Sequence, residues 1–213
     1  MKFFTVYPNW IFYAVLYLII LMIYYFSTLK KRGKWIDTNV IINAFFIFYI
    51  IAVLRLVFTP IDIWFDTALR DSTIRDMLQQ ETFTWWNVAR INLIPFRSLI
   101  QTLSRFNHVP YLTLRAIGGD FIMLFPVPVF LGLLAKKELT FKKAITVGFL
   151  TSLLIESSQL SINLLTGWPN RLFCVDDLLL NTLGAILGYF IFKKYHLFFE
   201  NIVSQIHQLL VWS

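Results

Sequence analysis

The sequence is poor in cysteine and in charge, and both shortages narrow the class of protein. Cys174 is its one cysteine, so no disulfide can form within the chain and a disulfide-stabilised scaffold is excluded. Charged residues make up 15% of the 213 residues and apolar residues 58%, whereas soluble domains have about 25% and roughly 45–50%. This balance excludes a disordered chain and a water-soluble enzyme.

Residues that often act as nucleophiles or zinc ligands are scarce and scattered. The three histidines stand apart from one another, at His108, His196 and His207. No histidine, cysteine or serine stands beside a base at the spacing of a catalytic pair, and the spacing of Glu156 and Gln159 is not a zinc motif. The net charge of +7 would suit a nucleic-acid binder, but in a chain this apolar it indicates membrane orientation, so no nucleic-acid partner is predicted.

Long apolar runs are what the sequence has in abundance. The first, at 10–29, has 20 residues, which at 1.5 Å per residue gives about 30 Å, the thickness of one hydrocarbon core. Five such runs predict an all-α polytopic membrane protein, folded as a single domain over 1–213. The predicted spans are 10–29, 40–59, 116–134, 144–165 and 175–192.

Two segments outside the spans are predicted to be amphipathic helices. One lies in the polar outer loop 60–115, where Pro95 is predicted to be the first helical residue. The other is the C-terminal segment 196–213. Contact with lipid at the interface and ordinary packing on the bundle both fit these patterns, and segment 91–106 is either interfacial or re-entrant. The apolar face of the first helix carries Phe96, Leu99, Ile100 and Leu103.

Basic residues predict how the chain is oriented. Nine of the ten lysines fall in the segments 30–34, 136–143 and 193–194, each next to the end of a span. Basic clusters of this kind hold a membrane protein's loops in the cytoplasm. The sequence therefore predicts a multi-pass protein of the cell membrane with its N-terminus outside and its C-terminus cytoplasmic.

Polar side chains form a stripe on each of the last two spans. An ionisable group in a bilayer is costly unless it is paired, so each one requires a partner or a function. The offsets 0, 4, 7 and 11 place each stripe on one helical face, and the simplest packing turns the two faces together. Glu156 is the candidate base, whereas amides and hydroxyls serve helix contact or function equally well. The stripes are Ser152, Glu156, Gln159 and Asn163, and Asp177, Asn181, Gly184 and Gly188.

The remaining charged residues near the spans have alternative roles. Asp177 is assigned to the interior stripe, and Asp176, which points about 100° away, caps a helix or pairs with Arg171. No metal is expected, and Asp176 and Asp177 are the candidates if Mg²⁺ binds. Arg55 either snorkels outward or neutralises a carboxylate. Asp120 precedes Pro126, which should kink its helix for packing or to line a cavity.

A turn in the outer loop lies next to arginines. Pro95 keeps Ile94 out of the helical region, so the chain turns here and its apolar side chains should enter the outer membrane face. Arginine binds phosphate and carboxylate bidentately, which suggests a site for a lipid-borne anion. The candidate binding residues are Arg90, Asn92, Pro95, Arg97, Asp120, Glu156, Gln159, Arg171, Asp176, Asp177 and Asn181.

Three blocks of residues, in this order, resemble the VanZ-like family. They are 90–96, 152–159 and 171–189, and the resemblance covers about residues 40–195. The chain departs from the family pattern at Cys174, where many members have an acid, and at Asn170, where many have glycine. The first departure weakens any three-acid metal site. The resemblance implies a membrane protein that lowers susceptibility to teicoplanin-type lipoglycopeptides, and it implies no particular reaction.

Three functions are therefore compatible with the sequence. The first is binding or shielding at the outer membrane face, through an arginine-rich rim above an acidic intramembrane pocket. Its partners would be membrane lipids, a lipid-linked cell-wall precursor or the lipoglycopeptide itself. The second is an integral membrane enzyme that acts on an anionic or lipid-linked substrate, with Glu156 as base. The third is a small lipid transporter, with Glu156 and Asp177 as a proton relay. Homo-oligomers and catalysis are left open.

Overall fold

Five long apolar spans form the body of the protein in a computed structural model, which describes residues 3–32, 38–79, 88–135 and 139–211. This confirms the predicted all-α polytopic class. In chain order the elements are β1 (Phe3–Val6), α1 (Trp10–Arg32), α2 (Thr38–Phe58), β2 (Ile61–Trp64), α3 (Thr67–Leu78), β3 (Ile91–Asn92), α4 (Arg97–Ser104), α5 (Pro110–Met123), α6 (Pro126–Leu134), α7 (Phe141–Thr166), β4 (Phe173–Cys174), α8 (Val175–Lys194) and α9 (His196–Val211). The lysines at 136 and 137 used for orientation lie outside the described residues.

The third span is longer than predicted. It runs over Pro110–Leu134, as α5 followed by α6, so the residues 110–115 assigned to the outer loop belong to a helix. Pro110 begins this helix without cost, because the first helical position needs no N–H. Its polar neighbours at the helix start masked the boundary in the sequence.

The predicted kink at Pro126 is confirmed, since α5 ends before it and α6 begins at it. Phe125 N donates to Ile122 O and Val127 N to Leu124 O, each at 3.2 Å, one residue nearer than in a straight α-helix. Met123 O would otherwise accept from Val127 N, and it accepts the Tyr49 hydroxyl of α2 instead. The break therefore attaches the third span to the second.

Helix α8 is the centre of the bundle, because it packs against α5, α6 and α7 and also contacts α4 and α9. Gly184 and Gly188 allow its closest approach. A side chain on Gly184 would collide with the carbonyl of Phe121, and one on Gly188 with that of Phe125. The glycine pair therefore faces the third span. The sequence predicted that it would face the fourth span, but Ala185 makes that contact.

Two short strands join the ends of α1 and α2. β1 pairs antiparallel with β2, with Phe3 opposite Trp64, which places both strands at one end of the bundle. We call this end, where β1–β4, α3 and α4 lie, the loop end. No period-two pattern in the sequence indicated these strands, since each has only two to four residues.

Arg55 connects the same two helices. Its guanidinium lies 3.6 Å from the centre of the Trp10 ring, and its Nη2 donates to the Tyr7 hydroxyl at 3.4 Å. Neither predicted role, snorkelling or neutralising a carboxylate, describes this stacking. An arginine over an aromatic face is attracted by the ring quadrupole and stays partly desolvated.

The C-terminal segment is helical as predicted. α9 contacts α2 and α8 at the end of the bundle opposite the loop end. Phe199, Val203 and Ile206 are half-buried there, whereas Leu197 and Phe198 are exposed. Both predicted alternatives therefore apply, because one part of the apolar face packs on the bundle and another part is free to contact lipid.

Candidate functional site

The segment around α4 presents an apolar surface at the loop end. Its helix begins at Arg97, after Phe96 in a left-handed backbone conformation, and not at Pro95 as predicted. α4 packs on α5 and α8 through a narrow side that includes the half-buried Leu99 and Thr102. The apolar face thus points away from the bundle, which favours the predicted contact with lipid. Its exposed members are Leu93, Ile94, Phe96, Ile100, Leu103 and Phe106.

The start of α4 is determined by Asp176, which is buried. Phe96 N donates to its Oδ1 at 2.5 Å and Leu99 N to its Oδ2 at 3.1 Å. The first N–H groups of a helix have no partner within it, and a carboxylate there also suits the helix dipole. Asp176 therefore caps a helix, as one alternative predicted, but the helix is α4 and not its own α8.

The first and third sequence blocks meet in a two-residue parallel ladder. Ile91 pairs with Phe173 and Asn92 with Cys174, and Phe173 N donates to Arg90 O at 3.1 Å. The Asn92 amide donates to the Cys174 sulfur at 3.6 Å, and its oxygen accepts from the backbone that follows. Arg90 itself is exposed. Segments about 80 residues apart in the chain are thereby placed side by side.

Cys174 is fully buried beneath this ladder, and sequence reasoning assigned it no role. Its burial raises the pKa of the thiol, and the neighbouring Asp177 carboxylate raises that pKa further. Hydrogen bonds from the backbone N–H groups of Asp177 and Asp176 and from Ser98 act in the opposite direction. The thiol is therefore shielded and neutral at pH 7.

Asn163 and Asn170 hold the loop between α7 and α8. The Asn163 amide donates to Arg171 O at 2.6 Å and to Ala89 O at 3.4 Å, and its oxygen accepts from Arg171 N at 3.0 Å. Asn170 accepts from Asp62 N at 2.6 Å, which ties the loop to β2. The residue that departs from the family pattern at 170 is thus a structural connector.

Arg171 belongs to the same network. Its Nη2 donates to Thr59 O at 2.7 Å and to Leu56 O at 3.5 Å, at the C-terminus of α2. It therefore caps α2 and does not pair with Asp176. Together the residues Asn163, Asn170, Arg171 and Asp176 form what we call the loop clamp.

Three carboxylates come together beside the loop clamp. Asp120 on α5, Glu156 on α7 and Asp177 on α8 each interact electrostatically with the other two, and we call them the acidic cluster. Glu156 is buried, and its Oε2 accepts from Cys174 N at 3.0 Å. Asp177 lies within hydrogen-bonding reach of the Cys174 thiol. In the described parts of the chain, no basic side chain lies within 4 Å of these carboxylates.

The polar stripes meet only in part. The Asn181 amide donates to Ser152 Oγ at 3.1 Å, so the two predicted faces do contact each other at this level. Gln159 instead donates to Val57 O of α2 at 3.1 Å, and Asn163 serves the loop clamp. The Asn181 oxygen is buried and has no hydrogen-bond partner among the described residues.

Three arginines at the loop end are exposed, and in the described ranges they have no carboxylate within 4 Å. They are Arg90, Arg97 and Arg115, which we call the arginine rim. Arg70, in contrast, forms an ion pair with Asp71 at 2.7 Å, as expected for a solvated loop. The rim arginines therefore remain available to an anionic group from outside the chain.

Neither a metal site nor the main cavity coincides with this region. Within the described residues, no three histidine, cysteine, aspartate or glutamate side chains are arranged to hold a metal ion. Mg²⁺ at Asp176 and Asp177 stays a prediction, and both oxygens of Asp176 are already engaged. A cavity of about 380 Å³ lies between α1 and α2 and is lined by apolar side chains such as Leu21 and Phe45.

Comparison with known proteins gives one match, and it is to a family. No curated protein and no solved structure matches the chain. The model of the VanZ/LLP1 family matches residues 46–199, which include the loop clamp, the acidic cluster, the arginine rim and all three sequence blocks. This stretch is well over half of the chain. The protein, a multi-pass membrane protein by its five apolar spans, therefore belongs to the VanZ/LLP1 family.

Proposed function

We propose that the protein lowers susceptibility to teicoplanin-type lipoglycopeptides by binding or shielding a lipid-borne group at the outer face of the cell membrane. Membership of the family supports this role at the level of the family. One observation carries the mechanism. Unpaired arginines and a cluster of carboxylates occupy the same end of the bundle, beside an apolar segment that is free to enter the membrane.

The arginine rim supplies the anion-binding part of this function. Guanidinium groups bind phosphate and carboxylate in a bidentate manner, and Arg90 and Arg97 flank the turn whose apolar side chains are exposed. A lipid-borne anion would be held at the rim while its chain lies against Ile100 and Leu103 of α4. Either a wall precursor or the lipoglycopeptide itself has this combination of polar head and lipid tail.

The orientation follows from the same distribution of charge. Lys142, Lys143, Lys193 and Lys194 flank the ends of α7 and α8 that lie opposite the loop end. Lysine-rich ends stay in the cytoplasm, so the loop end, with the rim and the N-terminus, would face outward. A lipoglycopeptide acts at that face of the membrane.

The test is teicoplanin susceptibility in a sensitive Gram-positive host, with vancomycin alongside. We expect the wild type to protect against teicoplanin, and Asp177→Ala at matched membrane levels to lose about tenfold of that protection, as for the loss of one key charged contact. Glu200→Gln is the matched control, because Glu200 is an exposed acid on α9 at the opposite end. Full protection by Asp177→Ala, or equal loss in the control, would contradict the proposal.

A further inference from the structure

The acidic cluster requires a positive partner that the described residues do not provide. Its three carboxylates lie on three different helices of the membrane bundle, and no lysine, arginine or histidine in the described ranges is within 4 Å of them. Taking several like charges out of water without a counter-charge is strongly unfavourable. A cation from outside the chain would remove that cost.

An independent observation also indicates a donor from outside. Asn181 is fully buried one helical turn below Asp177, yet its oxygen has no partner among the described residues. Since its amide nitrogen points to Ser152 on α7, the oxygen lies on the side of the carboxamide away from α7. A buried acceptor without a donor is rare in native structures. The missing donor is an N–H or O–H group at the level of the cluster.

The surface of α5 beside the cluster is bare. Gly118 and Gly119 directly precede Asp120, and a methyl group placed on either glycine would meet no described atom within 4 Å. Packing therefore does not require glycine here, in contrast to Gly184 and Gly188. A glycine inside a helix costs about 1 kcal/mol relative to alanine, so two of them in succession indicate a surface kept free for an external group. We call Gly118 and Gly119 the glycine notch.

An arginine of the rim lies above this notch. Arg115, Gly118 and Gly119 stand at offsets of 0, 3 and 4, so they share one exposed face of α5, and Asp120 borders it. The third span has 25 residues, which is about 37 Å against a hydrocarbon core of about 30 Å. The first turns of α5 thus extend into the headgroup layer, with Arg115 near its lower boundary and the notch just beneath.

We propose that this surface binds the headgroup of a phospholipid that carries a primary amine. The ammonium group would donate to the acidic cluster and to Oδ1 of Asn181, the headgroup would cross the glycine notch, and the phosphate would bind Arg115. The inference rests on the proposed function, because it names the ligand class of the same site.

A primary ammonium fits this set of acceptors better than other cations. It has three N–H donors, and the site offers carboxylate oxygens from Asp120 and Asp177 and the free amide oxygen of Asn181. A quaternary ammonium has no N–H to give and is recognised by aromatic faces instead. A metal ion needs ligands grouped around one point, and the described acids do not form such a group.

Lipid selectivity of the purified full-length protein tests the proposal. Native mass spectrometry would be used to titrate phosphatidylethanolamine, phosphatidylcholine and phosphatidylglycerol with identical acyl chains. We expect phosphatidylethanolamine to bind about tenfold more tightly than the other two. Equal binding of the three lipids, or tighter binding of phosphatidylglycerol, would overturn the proposal, because the site would then recognise only a phosphate or an acyl chain.

Variants locate the binding. Gly119→Leu should fold at least as stably as the wild type, since leucine favours a helix and the space is open, but it should lose the preference for phosphatidylethanolamine. Leu114→Phe is its matched control, because it adds bulk to an exposed residue about 140° around the same helix. Asp177→Asn should abolish the preference, and Arg115→Gln should weaken all three lipids alike. An unchanged preference in Gly119→Leu and Asp177→Asn would overturn the assignment.

The same proteins distinguish this inference from the proposed function. Loss of teicoplanin protection in Asp177→Ala, together with equal binding of the three lipids, would overturn the amine assignment and leave the proposed function supported. Selective binding of phosphatidylethanolamine by a wild type that gives no protection would support the assignment and overturn the function.

Discussion

The loop clamp and the acidic cluster lie side by side at one end of the bundle, and they use the same residue types in opposite ways. Asp176 of the clamp is buried with both oxygens accepting backbone N–H groups of α4. Asp120 of the cluster accepts no hydrogen bond from any described residue and lies beside two other carboxylates. One acid completes the fold, whereas the other leaves an electrostatic demand that the fold does not meet.

The arginines and asparagines divide in the same way. Arg171 caps α2 and Asn163 makes three hydrogen bonds to loop backbone, whereas Arg115 is exposed without a described partner and Asn181 keeps a free oxygen. Residue type alone therefore does not separate structural from functional polar groups in this membrane protein. The completeness of their hydrogen bonding does, because an unmet buried group costs free energy that only a ligand can recover.

The largest effect should come from the clamp. Asp176→Ala would leave Phe96 N and Leu99 N without acceptors and should lower the free energy of unfolding by about 3 kcal/mol, the sum expected for two hydrogen bonds to a buried charge. Thermal unfolding in detergent measures this. Asp176→Asn should recover part of the loss, and a melting temperature equal to the wild type's in Asp176→Ala would contradict the capping role.

The cluster should respond in the opposite direction. Asp120→Asn or Asp177→Asn removes a charge that has no positive partner among the described residues, so stability should rise or change by less than about 1 kcal/mol. Teicoplanin protection should nevertheless fall. Melting temperature and susceptibility would be measured on the same preparations, and a cluster variant that unfolds as readily as Asp176→Ala would erase the contrast between the two regions.

The arginine rim should show an intermediate effect on function and none on folding. Replacing Arg90 and Arg97 together by glutamine should reduce protection by about threefold to tenfold, because exposed charges act on a ligand and not on the core. Lys142 and Lys143 changed to glutamine form the control pair at the opposite end. Equal effects of the two pairs would mean that overall charge, and not the rim, matters.

The smallest effect is a pH dependence from Cys174. Because burial raises the pKa of the folded thiol, the neutral form stabilises the fold at pH below the ordinary thiol value of about 8.5, and this stabilisation is lost as the pH rises toward the higher folded pKa. The melting temperature of the wild type should therefore fall more between pH 8 and pH 10 than that of Cys174→Ala, by the equivalent of at most about 1 kcal/mol. Parallel curves would contradict the shift.

The sequence was sufficient for the parts of the fold that depend on local pattern. Apolar run length predicted five spans, Pro126 predicted the break in the third, and the stripe offsets predicted that Ser152 and Asn181 would face each other. Each of these follows from helical periodicity or from the missing N–H of proline, which act within a few residues of the chain.

The partners of the polar groups could not be predicted in this way. Asp176 reaches α4 across 77 to 80 residues and Arg171 reaches Thr59 across 112, so no spacing rule connects them. The pattern did indicate that Asp176 caps something, because acids at a helix start commonly do. Which helix it caps depends on how α4 packs against α8, and that is decided by the assembled bundle.

The central position of α8 has a consequence for biogenesis. During synthesis the other four spans leave the ribosome first, yet α5, α6 and α7 all bury their contact faces against this last one. Until α8 is inserted, Glu156 lacks its Cys174 partner and the kinked third span lacks the glycines that receive its carbonyls. The nascent protein must therefore wait in the membrane as a loose set of helices, and its quality control depends on completion of a single late segment.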